Sequence, residues 1–236
     1  MQEKMLVIAC ALTLVMLAGA GCQKEAREEP QALVESEIWA PPDSLIFEQV
    51  WLYFDDKPEE YFFKAGDALE AEDLEAASHD LRTAAAYLKV EAARGKGVSK
   101  KALKASIQEL EDTAGRIKAG VVIPDGEMDR MFARAHLALA EHHYDRVSDL
   151  LKLKEKGWIR AGEELDVSAI HIQHGMGWIT GRPDQAHEDA LAKIRETAGE
   201  LTEGKLLKAE TINQAVEKLA SEIAIFRADL GLAKGD

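Results

Sequence analysis

From Glu59 to the C-terminus, apolar residues recur at every third or fourth position, and no run of β-branched residues alternates with polar ones. Leu103, Ile107, Leu110, Ala114 and Ile117 form one stripe; Leu191, Ile194, Ala198 and Leu201 form a second; Ile212, Val216, Leu219, Ile223 and Phe226 form a third. Ala, Leu, Glu and Lys, all strong helix formers, dominate the whole stretch. A chain patterned in this way buries its apolar surface by laying helix on helix, which excludes a sheet. The expected fold class is all-α, an antiparallel helical bundle or a short α-solenoid.

The stripes repeat. At an offset of 70, Tyr61 to Leu81 aligns with Met131 to Leu151, and Phe62, Ala65, Ala68, Leu69, Ser78 and Leu81 meet identical residues. At an offset of 84, Thr113-Ala114-Gly115 meets Thr197-Ala198-Gly199, Gly120 meets Gly204 and Gly97 meets Gly181. The change of offset implies 14 residues inserted in the second copy near Lys152 to Leu165, close to four helical turns. The pattern therefore predicts two tandem three-helix units, about 57–122 and 127–206, followed by a final helix at about 207–230. Within them, helices are expected at 58–71, 74–94, 99–119, 127–142, 144–180 with a break near Gly157-Trp158, and 184–203. Ser99 is expected to cap the third helix, Gly120 to end it, and Pro183 to lie in the first turn of the sixth.

Upstream, Met5 to Gly21 is apolar and uncharged, and it runs into small residues before Cys22. Leu17-Ala18-Gly19-Ala20-Gly21-Cys22 resembles the lipobox of bacterial lipoproteins, with Leu17 two residues earlier than the family's usual leucine and Gly19 in that place. The resemblance implies cleavage before Cys22, lipidation of its thiol and a place in the cell envelope; an ordinary secretory signal and a retained anchor are the alternatives. Cys10 would leave with the leader, so Cys22 would be the one cysteine remaining, and lipidation accounts for it. Gln23 after it, where an Asp would imply inner-membrane retention, favours the outer membrane. The expected organisation is a signal peptide at 1–21, a charged tether at 22–37 and one helical domain at 38–236.

A formal net charge of −14 repels phosphate backbones, so nucleic acid is excluded as an expected partner. Eight of the 14 Phe, Trp and Tyr residues fall between Trp39 and Phe63. Trp39, Phe47, Trp51 and Phe54 are the candidate interaction residues of that segment, either as a plug over the core or as a surface for a partner.

Ala135-His136-Leu137-Ala138-Leu139-Ala140 followed by His143-Tyr144-Asp145-Arg146 resembles the small-residue helix and turn of a tetratricopeptide hairpin. Ala135-His136-Leu137, Leu150-Leu151 and Val167-Ser168-Ala169 are similar to the YfdX family of exported helical proteins. The first resemblance implies protein or peptide binding, and neither implies an enzyme.

Chemistry, where the sequence offers any, lies in seven histidines, six of them in the second copy. His171 and His174 are three apart and share a helix face; Met176 follows, and His187 is expected to fold back to the height of His174. These four form a candidate site for copper or zinc. The alternative is a set of part-exposed histidines with structural hydrogen bonds. Tyr144-Asp145 reads as a turn, which would send His136 and His143 to the opposite end of the hairpin from His174 and His187. His142-His143 beside Glu141 offers a second, weaker surface pair. No Cys-x-x-Cys-His and no phosphate-loop pattern occurs.

The sequence thus leads to a non-enzymatic, lipid-anchored envelope module for a protein or peptide partner. A metal- or small-ligand-binding protein built on the His/Met cluster is the alternative.

Overall fold

Seven α-helices follow one another without a strand in the computed structural model, which describes residues 57–232 apart from Asp125. They are α1 (Lys57–Glu70), α2 (Leu74–Arg94), α3 (Gly97–Lys118), α4 (Glu127–Leu151), α5 (Glu155–Thr180), α6 (Gln185–Thr202) and α7 (Ala209–Asp229). The leader and tether, Cys22, Trp39, Phe47, Trp51 and Phe54 lie outside the described residues. Among the described residues, no helix is long and apolar enough to cross a membrane.

Local chemistry sets the helix ends. Asp73 caps α2 by accepting from Ala76 N at 3.0 Å, and Asp184 caps α6 by accepting from His187 N at 3.0 Å. Pro183 therefore precedes the cap and stands outside the first turn. Gly120 closes α3 in the left-handed conformation at φ 74°, with Val121 N bonded back to Arg116 O. Ser99 does not cap α3. The helix starts at Gly97, and the buried Ser99 hydroxyl donates to Lys96 O instead.

Neighbouring helices pack as antiparallel hairpins, with α4 against α5 the most extensive pair. One core holds Phe62, Leu81, Leu88, Leu103, Leu110 and Ile117 from α1–α3. A second holds Leu165, Ile172, Ile194, Leu201, Leu219 and Phe226 from α5–α7. The central helix α4 supplies both. Met131, Phe132 and Leu139 face the first core, and Ala133, Leu137 and Val147 face the second. Its alanines leave room for neighbours on several sides.

The aligned positions of the two sequence copies have matching environments. Phe62 and Phe132 stack on each other at 4.4 Å between ring centroids. The helix bounds move the change of offset to the α1–α2 turn, so Ser78 and Leu81 lose their expected matches to Ser148 and Leu151. Ala77, Leu81, Ala85 and Leu88 of α2 then align at the offset of 84 with Ala161, Leu165, Ala169 and Ile172 of α5, and all eight are fully buried.

The structure overturns one boundary. Tyr144-Asp145 makes no turn, and α4 runs unbroken to Leu151. The turn is at Lys152–Lys154, with Lys154 at φ 55°. The 14 extra residues lengthen both helices: α4 continues from Glu141 to Leu151 past the match to the end of α1, and α5 begins three residues ahead of the match to Leu74. Gly157 lies in the first turn of α5 because a Cβ there would stand 2.1 Å from Leu150 O. Burial of Val147 and Leu150 rewards helical continuation, and that tertiary gain outweighs the turn preference of Asp145.

Candidate metal centre

His136 lies midway along α4 inside the alanine run that the two cores share, and it is fully buried. A buried imidazole needs partners for both ring nitrogens. Its Nε2 meets Glu59 Oε2 of α1 at 2.6 Å, and its Nδ1 meets His171 Nδ1 of α5 at 3.2 Å. Trp178 Nε1 donates to the same Glu59 oxygen at 3.0 Å. His174, one turn beyond His171, brings its ring to 5.6 Å from that of His136. Ligand atoms of Glu59, His136 and His174 all lie within 4.8 Å of one another.

Three helices converge to make this group. Glu59 sits in the first turn of α1, where the helix dipole favours a negative charge. The packing of Phe62 and Phe63 against Phe132 and Trp178 holds that turn over the α4/α5 hairpin. Gly175 lets α5 come close: a Cβ there would stand 2.9 Å from His136 Cβ and 2.3 Å from Phe226 Cζ. Burial works to raise the pKa of Glu59, but the hydrogen bonds and charges of His136, Trp178 and His174 outweigh it and hold the carboxyl below its usual range. Glu59 is thus a carboxylate at neutral pH.

Glu59 and His174 border a pocket, with His136 fully buried behind them. Glu59, Phe63, Gln173, His174, Trp178 and Arg182 are among the residues lining an open pocket of about 580 Å³. Behind it the imidazoles continue inward. His171 stacks on His143 at 5.5 Å, and His143 meets His142 edge-on at 5.2 Å. His143 Nδ1 pairs with Glu164 Oε2 at 2.7 Å, while His142 Nε2 lies 3.1 Å from Glu91 Oε2. Arg146 and Arg94 flank the two carboxylates. Burial opposes ionisation of Glu164, yet His143 and Arg146 hold its pKa at about 2. Burial first, then the neighbouring imidazoles, pushes His171 well below the ordinary histidine value, so it is neutral. Burial lowers His142 as well, against the pull of Glu91.

No family model matches the chain. No curated protein and no solved structure matches it either.

The donor set differs from the one read from sequence. His171 and His174 do come together, and His136, expected at the far end of the hairpin, joins them because α4 has no turn at Tyr144. His187 stands apart, with its Nδ1 2.6 Å from Glu222 Oε2 of α7, and that bond raises its pKa. Met176 is buried in the core of α4–α7. His142 and His143 are buried as well, so they form no surface pair with Glu141, which instead binds Arg227. Glu59 has no signal of its own in the sequence, being 77 residues from His136. His136 does: a histidine within Ala-x-Ala-His-Leu-Ala-Leu-Ala cannot face water and needs a buried partner.

One carboxylate and two imidazoles are a donor set suited to zinc or copper. In a tetrahedral zinc site, donors at about 2.0–2.1 Å from the ion stand roughly 3.3 Å apart. Glu59 and His136, 2.6 Å apart, would therefore have to part slightly to admit the ion. Three protein donors leave a fourth position on the pocket side.

Proposed function

We propose that this chain is a metal-binding protein of the cell envelope that takes up zinc or copper through Glu59, His136 and His174. The observation that carries this reading is the meeting of three donor atoms from three helices within 4.8 Å, two of them, on Glu59 and His174, belonging to residues that line an open pocket. The apolar leader ending at Cys22 supports the envelope location and a lipid anchor. An open coordination position facing the pocket suits uptake and release better than a sealed structural ion. The role is binding, not turnover.

Calorimetric titration of the full chain, stripped with chelator and then given zinc or copper(II), tests the proposal. One ion per chain is expected. Glu59→Gln and His174→Asn should each weaken binding by more than about 100-fold, beyond the roughly 10–100-fold typical of outer-shell losses. His187→Ala and Met176→Leu should leave binding unchanged. No histidine-dependent binding at micromolar metal overturns the reading.

A second reading, a face for an envelope protein or peptide, draws on the segment joining the two units, where Val121 and Val122 are exposed. Val122→Asp should then abolish capture of that partner from envelope extracts without altering metal binding.

A further inference from the structure

His142, Asp145, Arg146 and Asp149 recur on α4 at spacings of three and four, so they project from one side of the helix. Where α2 ends and α3 begins, that side walls a pocket of about 190 Å³, which shares no lining residue with the pocket beside Glu59 and His174. Its volume is below the roughly 300–1,000 Å³ of pockets that hold drug-sized ligands, so it suits a small ion or molecule.

The start of α3 forms part of the wall. Lys96 stands at its cap position, no side chain caps it, and its first turn holds no acid. The first N–H groups of a helix have no partner within it, and together with the dipole they favour an anion. Lys96 and Ser99 from this turn line the pocket. An independent sign of a ligand comes from His142 opposite. It is 1 % exposed, and its Nδ1 has no hydrogen-bond partner among the described residues. That atom faces the pocket wall at Gly95, where a Cβ would stand 3.3 Å from it, while Nε2 across the ring faces Glu91. A buried ring nitrogen calls for a partner, and the pocket is where one reaches it. Arg94, Arg146 and Arg160 join Lys96 around the space. From behind, Glu91 accepts from Arg94 at 2.9 Å and Glu164 from Arg146 Nε at 2.5 Å, which fixes the planes of these two multidentate donors.

Net charge alone does not select the ligand. Asp145 and Asp149 stand exposed at the rim, and with Glu91 and Glu164 behind the arginines the two signs balance. A fully ionised anion such as sulfate would meet the aspartates with no proton to offer them. Inorganic phosphate keeps a proton at neutral pH. Its P–OH donates to a carboxylate or to a bare Nδ1, and its oxygens accept from Lys96, the arginines and the α3 N–H groups. A phosphate monoester has lost most of that proton at about pH 7, its second pKa being about 6.

We propose that this pocket, where the end of α2 and the start of α3 meet α4, binds one inorganic phosphate in its hydrogen-phosphate form. Lys96, Arg160 and the α3 N-terminus are the donors, and His142, Asp145 and Asp149 favour the protonated ion over sulfate. The site stands apart from the Glu59–His136–His174 centre and needs no metal there.

Calorimetric titration of the full, metal-free chain in chloride buffer at about pH 7 tests this, with sodium phosphate, sodium sulfate and glycerol 3-phosphate as separate titrants. Phosphate should saturate one site per chain, and sulfate and the ester should each bind about tenfold or more weakly. Lys96→Gln combined with Arg160→Gln should weaken phosphate binding by about tenfold or more, because hydrogen bonds to charged groups are the strong ones. Gly95→Ala sets a methyl group against His142 Nδ1 at a φ of −74° that alanine adopts freely, so it should weaken phosphate binding while the circular dichroism spectrum keeps its helical form. Asp145→Asn combined with Asp149→Asn should narrow the gap between phosphate and sulfate. Phosphate that fails to saturate, or that binds the Lys96/Arg160 and Gly95 variants as well as the parent, overturns the site. Sulfate bound as tightly as phosphate overturns the role of the proton, and an ester bound more tightly overturns the free ion. Zinc titration of the same variants should match the parent, so either site can fail while the other stands.

Discussion

Gly175 and Gly177 lie two residues apart in α5, and replacing each by alanine should move stability in opposite directions. In an open helix position the exchange gains about 1 kcal/mol of helix propensity. Gly177 meets this case, since an added Cβ would find nothing within 4 Å. At Gly175 the same atom would stand 2.3 Å and 2.6 Å from Phe226 Cζ and Cε1 and 2.9 Å from His136 Cβ. Carbon atoms in contact prefer about 3.5–4.0 Å, so the Phe226 ring would have to retreat by more than an ångström. Phe226 is fully buried and has nowhere to go without displacing its neighbours. Overpacking of this kind costs about 1–3 kcal/mol. With a cost at the upper end, set against the propensity gain, Gly175→Ala should lose about 2 kcal/mol net. For a domain of this size each kcal/mol moves Tm by about 2–4 °C. Thermal unfolding followed by circular dichroism, with chelator present, should show Tm lower by about 4–8 °C for Gly175→Ala and higher by about 2–4 °C for Gly177→Ala. Because His136 Cβ is among the displaced atoms, Gly175→Ala should also weaken zinc binding. Two Tm shifts of the same sign would refute the close approach of α5 to Phe226 and with it the geometry assigned to the centre.

Acid should destabilise the metal-free protein: His142 and His171 are held neutral when folded but take up protons below about pH 6.5 once unfolded, a slope of up to about 1.4 kcal/mol per pH unit for each. His187 works the other way. Its raised pKa gives a contribution that is full below about pH 6.5 and fades as pH climbs through its folded value, so His187→Gln should steepen the acid loss. Urea unfolding at about pH 5.5 and about pH 7.5 measures both effects, and a profile that is flat or rises toward acid contradicts the buried neutral histidines. Phe132→Ala should cost about 3–5 kcal/mol, because it removes a buried ring stacked on Phe62 and touching Trp178; a loss below about 1 kcal/mol would place that ring outside the core. Labelled palmitate should enter the expressed chain and be absent from Cys22→Ala, and equal labelling of both would dismiss the lipobox reading.

The helices were legible because their signal is local. The stripe from Leu103 to Ile117 marks a buried face whatever lies opposite it, and Gly120 ends α3 through its own backbone conformation. The central helix was misjudged because Tyr144-Asp145 has local turn chemistry, while the burial of Val147 and Leu150 that keeps it helical depends on tertiary packing, chiefly against α5. The site was half legible. The three-residue spacing of His171 and His174 is a sequence fact, but the carboxylate that joins them arrives from α1 through the packing of Phe62 on Phe132. His187 has helix spacing suited to the cluster, yet α7 brings Glu222 to it first.

Because α4 lends one side to each core, neither half of this chain is a separable piece. A fragment ending before α5 would leave Leu137 and Val147 in water and strip His136 of its contact with His171. A fragment beginning at α4 would lack the acidic donor altogether. Unfolding is therefore expected as a single cooperative event, with the two halves inseparable at the helix they share.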